Sequence, residues 1–244
     1  MGRTFENRKQ AILKRGARDA KAFTKAGRQL AIAVKSGGPD PDANPALRRA
    51  MQNARSVNMP KDKIKNAIEK ASGANQGDEY QEVLYEGYGP HGIALLVVTL
   101  TDNPTRTVAN VRSHFKKGGG SLGTSGSVEF QFDRFGFFLV EPGSAERDEL
   151  ELELIDFGLE ELGDATGEKG EALWSVWCSP DSFGEMQSAL EGRKVEVASS
   201  GFTYQPKTTT EISTEQSDEV SALIDRLDDD DDVQNVFSNA QWPD

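Results

Sequence analysis

The chain has 244 residues, room for one large core or several small ones. Its 28 basic and 40 acidic residues give a net charge of −12, and they are unevenly placed. Residues 1–70 hold 17 basic against 6 acidic residues, a net +11; the remainder holds 11 against 34, a net −23. Phosphate would be repelled by the acidic part, so nucleic acid, if bound, should be met mainly by the first 70 residues.

The single cysteine, Cys178, cannot form an intramolecular disulfide, which suits a reducing compartment. The basic N-terminus lacks the apolar run of a signal peptide. The longest aliphatic run, Ile93–Val98, is far too short for a membrane span and suits a buried strand. The expectation is a soluble cytoplasmic protein.

In chain order, residues 12–34 read as a helix. With about 100° per residue and Lys14 set at zero, Arg18, Lys21, Lys25 and Arg28 all fall within about 40° of it. Ile12, Phe23, Gly27, Leu30 and Val34 fall near the opposite side, so a five-cation stripe backs onto a small and apolar seam. Ser36-Gly37-Gly38 should stop the helix. Asn44-Pro45 then reads as the cap and first turn of a second helix, with Leu47, Ala50, Met51 and Ala54 on its apolar face. A third helix starts after Asn58-Met59-Pro60, is lined by Ile64, Ala67, Ile68 and Ala71, and ends at Gly73. Residues 73–80 read as a linker.

Beyond it, strands are expected at 93–100, 127–132, 135–140, 172–178, 194–204 and 233–238. Helices are expected at 104–117, 146–161, 181–191 and 214–228. This order suits two small α+β units. The expected fold is therefore α+β, an N-terminal three-helix domain (1–75) followed by two small ferredoxin-like α/β domains. One of these, 134–206, is inserted in the other, which comprises 81–133 and 207–244.

Several motifs invite chemistry. Gly87-Tyr88-Gly89-Pro90-His91-Gly92 matches a dinucleotide fingerprint, but that needs a strand before and a helix after. Here a strand follows, so a turn is the expectation. Gly119-Gly120-Ser121-Leu122-Gly123 matches a nucleophile elbow in the wrong context, helix before and strand after, with only His91 and His114 as candidate bases. One Cys and two His supply no zinc ligand set, and Asp228–Asp232 lacks the alternation and glycine of a calcium loop. That aspartate run reads as a solvated helix end. No metal, cofactor, small-molecule ligand or catalytic residue is expected.

The glycine-rich stretch from Lys116-Lys117 through Gly118, Gly119, Gly120, Gly123 and Gly126 has two readings. It is a long helix-to-strand connection, or a flexible finger with two lysines at its base that can approach a phosphate backbone. The stripe is the stronger signal. Five cations in register bind phosphates in a salt-dependent, sequence-tolerant way. The alternative occupant is an acidic protein, or the chain's own acidic part.

Longer stretches carry a resemblance. They include Phe23-Thr24-Lys25, Gly37-Gly38-Pro39-Asp40-Pro41, Asn58-Met59-Pro60-Lys61-Asp62, Tyr85–Pro90, Thr101-Asp102-Asn103 with Arg106-Thr107-Val108, Leu122-Gly123-Thr124, and Asp231-Asp232-Val233-Gln234. Together they resemble the YebC/PmpR family of probable transcriptional regulators, to which the mitochondrial translational activator of cytochrome c oxidase is related. The resemblance implies three domains, one interrupting another, and no enzymatic activity. It implies a role in gene expression as a DNA-binding transcriptional regulator or, alternatively, as a ribosome-associated RNA-binding factor. Most relatives open with Ser-Lys-Trp and His-Arg-Lys; this chain has Arg3-Thr4-Phe5-Glu6-Asn7-Arg8-Lys9, where Arg8 and Lys9 keep the charge. The expected nucleic-acid contacts are Arg8, Lys9, Lys14, Arg18, Lys21, Lys25, Arg28, Lys116 and Lys117, with duplex DNA or ribosomal RNA as partner.

Overall fold

The structure, a computed structural model, describes residues 3–73, 79–143, 146–167 and 170–243, with side chains from Asp19 onward. Three helices come first: α1 (Arg3–Gly37), α2 (Pro45–Ser56) and α3 (Lys61–Ser72). α1 stops where Gly38 takes a φ of +86°. Asn44 then ties the turn together. Its Oδ1 accepts from the Leu47 N–H at 3.0 Å, and its Nδ2 donates to the carbonyls of Ala33 and Gly38 at 2.7 and 2.8 Å. One polar side chain thus caps α2 and satisfies the end of α1. Ala26, Leu30, Ala33 and Val34 of α1 close a core against Leu47, Ala50, Ala54 and Ile64.

The rest of the chain runs β1 (Gln81–Tyr88), β2 (Ala94–Thr101), α4 (Pro104–Lys117), β3 (Ser121–Leu122), β4 (Phe132–Val140), α5 (Arg147–Ile155), β5 (Leu159–Thr166), β6 (Ala172–Cys178), α6 (Phe183–Gly192), β7 (Val197–Pro206), β8 (Thr210–Glu211), α7 (Thr214–Asp228), β9 (Val233–Ser238) and β10 (Ala240–Gln241). Two four-stranded antiparallel sheets result, in the orders β3-β1-β2-β9 and β5-β6-β4-β7. The second closes before α7 and β9 return to the first. Its β-α-β-β-α-β order, with the first and third strands central, is the ferredoxin-like arrangement. The fold is α+β.

β2 explains the aliphatic run. Leu95 and Val97 face Val111 and Phe115 of α4 and Val220, Leu223 and Leu227 of α7, while Ala94 and Leu96 face Val128 and Phe132. A strand covered on both sides reads as continuous apolar sequence. In the second sheet Gly136 has a structural reason: a Cβ there would lie 2.5 Å from the Phe183 ring, which stacks on Phe138 at 4.6 Å.

Some expectations need correction. Residues 129–131 form a 3-10 turn rather than a strand. Glu86 causes it, because its carboxylate accepts the N–H groups of Gly126, Val128 and Glu129 at 2.6, 2.7 and 2.8 Å. Val128 and Phe132 are buried on either side of exposed Phe130. The helix expected at 146–161 ends at Ile155, Gly158 turns the chain at a φ of +83°, and β5 follows. β1 was not anticipated. The Gly87–Gly92 motif closes β1 with Gly87-Tyr88 and then forms the tight connection to β2, a turn before a strand as its context suggested. Residues 74–78 of the expected linker lie outside the described residues.

Candidate nucleic-acid interface

The stripe on α1 is paired with acidic groups over its described length. Lys21 pairs with Asp229, Lys25 with Asp228 at 3.5 Å, and Arg28 with Asp232 at 3.0 Å. Lys25 also donates to the Gln234 carbonyl at 3.1 Å, and Arg28 to the carbonyls of Leu100 at 3.1 Å and of Asp231. Three cations spaced at helical intervals thus engage the turn between α7 and β9, where backbone and side-chain oxygens both point at α1. Arg8, Lys9, Lys14 and Arg18 lie outside the residues whose side chains are described.

The aspartate run is therefore more than a solvated helix end. Asp232, the last of the run, is buried and gathers most of the contacts. It accepts from the Thr107 hydroxyl at 2.6 Å and from Arg106 at 3.0 and 3.2 Å, and it sits beside Arg28. Burial alone would raise its carboxyl; the Thr107 and Arg106 hydrogen bonds and the charges of Arg28 and Arg106 outweigh that and hold it below the ordinary aspartate range. Arg106 is bound from both sides, by Asp232 and by Asp102 at 2.7 Å, which fastens its proton more firmly still. His114 meets Asp230 at 3.1 Å. The run's like charges coexist because α1 and α4 surround them with cations.

This arrangement gathers groups that are remote in sequence. Arg28 of α1, Arg106, His114 and Lys117 of α4, and Arg226 of α7 line one groove of about 720 Å³ with Asp229–Asp232. Lys116 is exposed on the same last turn of α4. The stripe and the base of the glycine stretch thus meet at the acidic turn. Arg106, His114 and Arg226 were not anticipated as members. No spacing rule could have found them, since Arg28 and Asp232 are joined only by the tertiary fold.

The glycine stretch is held along its length. Gly118 and Gly120 donate to the ends of α4, Ser121 and Leu122 pair with β1, and Gly123 donates to the Glu86 carbonyl at 2.7 Å. Burial would raise the Glu86 carboxyl, but the backbone N–H groups of Glu129, Val128, Gly126 and Ser127 bring it below the usual range. Gly118, Gly119, Gly120, Gly123 and Gly126 thus lie in a connection tied to α4, β1 and Glu86, with Thr124-Ser125 at its exposed tip. The hydrolase-like motif finds no base either. Ser121 opens β3, whereas His114 pairs with Asp230 and His91 with Glu219. Among the described residues no group of His, Cys, Asp and Glu is placed to hold a metal, and no helix is long and apolar enough to cross a membrane.

Two family models match in tandem. Residues 3–74 match the TACO1/YebC protein N-terminal domain, and residues 80–240 match the TACO1/YebC second and third domain. The chain belongs to the TACO1/YebC family. Relatives in this family include probable transcriptional regulatory proteins of Anaeromyxobacter dehalogenans, 54% identical over 98% of this chain and 99% of the relative, and of Myxococcus xanthus, 51% identical over the same shares. A third, from Flavobacterium johnsoniae, is 47% identical over 97% and 98%. The crystal structure of a conserved hypothetical protein from Aquifex aeolicus superposes with a TM-score of 0.76 at 36% identity, covering 92% and 91% of the two chains. The N-terminal TACO1/YebC match spans the divergent opening segment as well as the stripe.

Proposed function

We propose that this chain is a non-catalytic, nucleic-acid-binding regulator of gene expression, acting through the basic face of α1. The observation that carries the reading is the division of charge, +11 over residues 1–70 against −23 beyond, with the cations of α1 in register. Transcription is the first form of this reading. It is supported by the names of the relatives, which are called probable transcriptional regulatory proteins. In that form the partner is duplex DNA and the contacts are chiefly to phosphate.

A second form, ribosomal RNA as partner in translation, is favoured by one structural observation. Two helices of the basic unit are committed: α1 to the acidic turn and the helical core, α2 to that core and to β7, where Asn53 holds the Ser200 backbone at 2.8 and 3.0 Å. α3 leaves Lys61, Lys65 and Lys70 exposed, a basic face that can meet the phosphates of structured RNA by shape without reading base edges. The experiment is co-sedimentation with ribosomes at physiological salt, with and without excess duplex DNA. Retention on the ribosome despite DNA supports the RNA form, and transfer to DNA supports the transcriptional form. Binding to neither, or equal binding by a Lys14→Gln, Arg18→Gln, Lys21→Gln, Lys25→Gln variant, overturns the reading.

A further inference from the structure

The sequence of α5 alternates in a manner foreign to a helix: Leu150, Leu152 and Leu154 are separated by Glu151 and Glu153. Leu150 and Leu154, four residues apart, share one face and are buried with Phe138, Val176 and Met186. Leu152 must then point away, about 200° round the helix, with Ile155 about 60° from it. Both are large and open to solvent, 69% and 56% exposed, and Phe157 just beyond the helix is 39% exposed. Single exposed apolar residues are ordinary; three neighbours on one short segment form a patch of the kind that marks an interaction site.

The surroundings of the patch select its partner. Asp148, Glu149, Glu151, Asp156 and Glu160 are all exposed around these positions, and among the described residues none forms an ion pair. Of the nearby cations, Arg147 pairs with Asp164 at 2.8 Å and Arg193 with Glu153, while Lys194 lines a groove with Glu149 and leaves the carboxylates in excess. The face is therefore apolar at the centre and anionic at the rim. Nucleic acid and anionic lipid surfaces are repelled by it. A second copy presenting the same face would set carboxylate against carboxylate. We propose that the outer face of α5, with Leu152, Ile155 and Phe157 inside its carboxylate ring, docks a cationic amphipathic helix of a partner protein. The apolar residues of that helix would cover the leucine and isoleucine, and its lysines and arginines would meet the ring. The small area suits a transient contact whose rate of formation is raised by charge. This inference does not depend on which nucleic acid α1 contacts.

The test uses the full chain and a fluorescent synthetic helix of leucine and lysine with leucines at i, i+3, i+4 and i+7. A control peptide of the same composition is scrambled so that no apolar face forms. The expected result is about tenfold or more tighter binding of the amphipathic peptide than of the control. Leu152→Gln with Ile155→Gln should remove that preference with little change in the thermal midpoint, because both side chains are more than half exposed and no charge is added to an acidic helix. Equal binding of the two peptides, or undiminished preference in the double variant, overturns the proposal. So does concentration-dependent self-association in sedimentation that the double variant abolishes, since a second copy would then be the occupant.

Discussion

If the cations of α1 bind phosphate, the acidic turn must compete with nucleic acid for them. The perturbation that isolates this is Asp228→Asn with Asp229→Asn, which frees Lys25 and Lys21 and leaves buried Asp232 intact. The side chains of the Lys21–Asp229 pair are 40% and 73% exposed, and those of the Lys25–Asp228 pair 25% and 45%. Pairs this open are worth about 0.2–1 kcal/mol each. Together they represent roughly 0.5–2 kcal/mol that nucleic acid must displace, so the variant should bind about 2- to 30-fold tighter. The salt dependence is more telling. In the native chain, a phosphate that replaces a carboxylate on a lysine releases one counterion while the carboxylate gathers another. In the variant that second step disappears. The slope of log affinity against log salt for duplex DNA should steepen by about 0.9 per lysine, close to 2 in all. Fluorescence anisotropy with a short labelled duplex and a hairpin RNA, over a salt series, measures both quantities. Unchanged affinity together with an unchanged slope would refute the reasoning and leave Lys21 and Lys25 as clamps between the helical unit and the outer sheet.

Other consequences follow from the same contacts. Asp232→Ala should cost about 3–5 kcal/mol of stability by urea unfolding, because Arg28 and Arg106 lose a buried counter-charge. Glu86 and Asp232 both sit below their ordinary carboxyl values. Their stabilisation is complete above the unfolded values of about 4 and is lost as pH falls through the lower folded values. The urea midpoint should hold from neutrality to about pH 5 and then fall, with a shallower fall in Glu86→Gln; equal falls would remove Glu86 from the account. Burial pushes the Cys178 thiol up to about 11, so a thiol reagent at pH 8 should modify it only after denaturant is added.

The parts of the fold that were legible in the sequence are those whose cause is local. Gly37-Gly38, Asn44-Pro45 and Asn103-Pro104 mark helix ends because capping is settled within a few residues. β2 was legible because burial on both faces leaves a continuous aliphatic run. β1 was not, since Glu82, Glu86 and Gly87 break its pattern. Glu86 is buried there for a purpose visible only in three dimensions, the capture of the N–H groups of 126–129. α5 was overextended for the opposite reason: its acidic leucine pattern continues past Ile155, and only the positive φ of Gly158 turns the chain.

The stripe carries the same lesson into function. Its register was readable from the period of α1, and its sign from composition. Its immediate partner was not, because Asp228–Asp232 lies some two hundred residues away and looks like any solvated acidic run. The structure joins them through an unequal set of contacts. Asp232 is buried and bound by two arginines and a threonine, so it holds the helical unit to the outer sheet whether or not nucleic acid is present. Asp228 and Asp229 are open and bind through single lysines, so phosphate can replace them at little cost. In the proposed role, a deep arginine anchor beside two shallow lysine pairs would let one helix face do two jobs: the anchor would keep α1 in place while the lysines exchange carboxylate for phosphate.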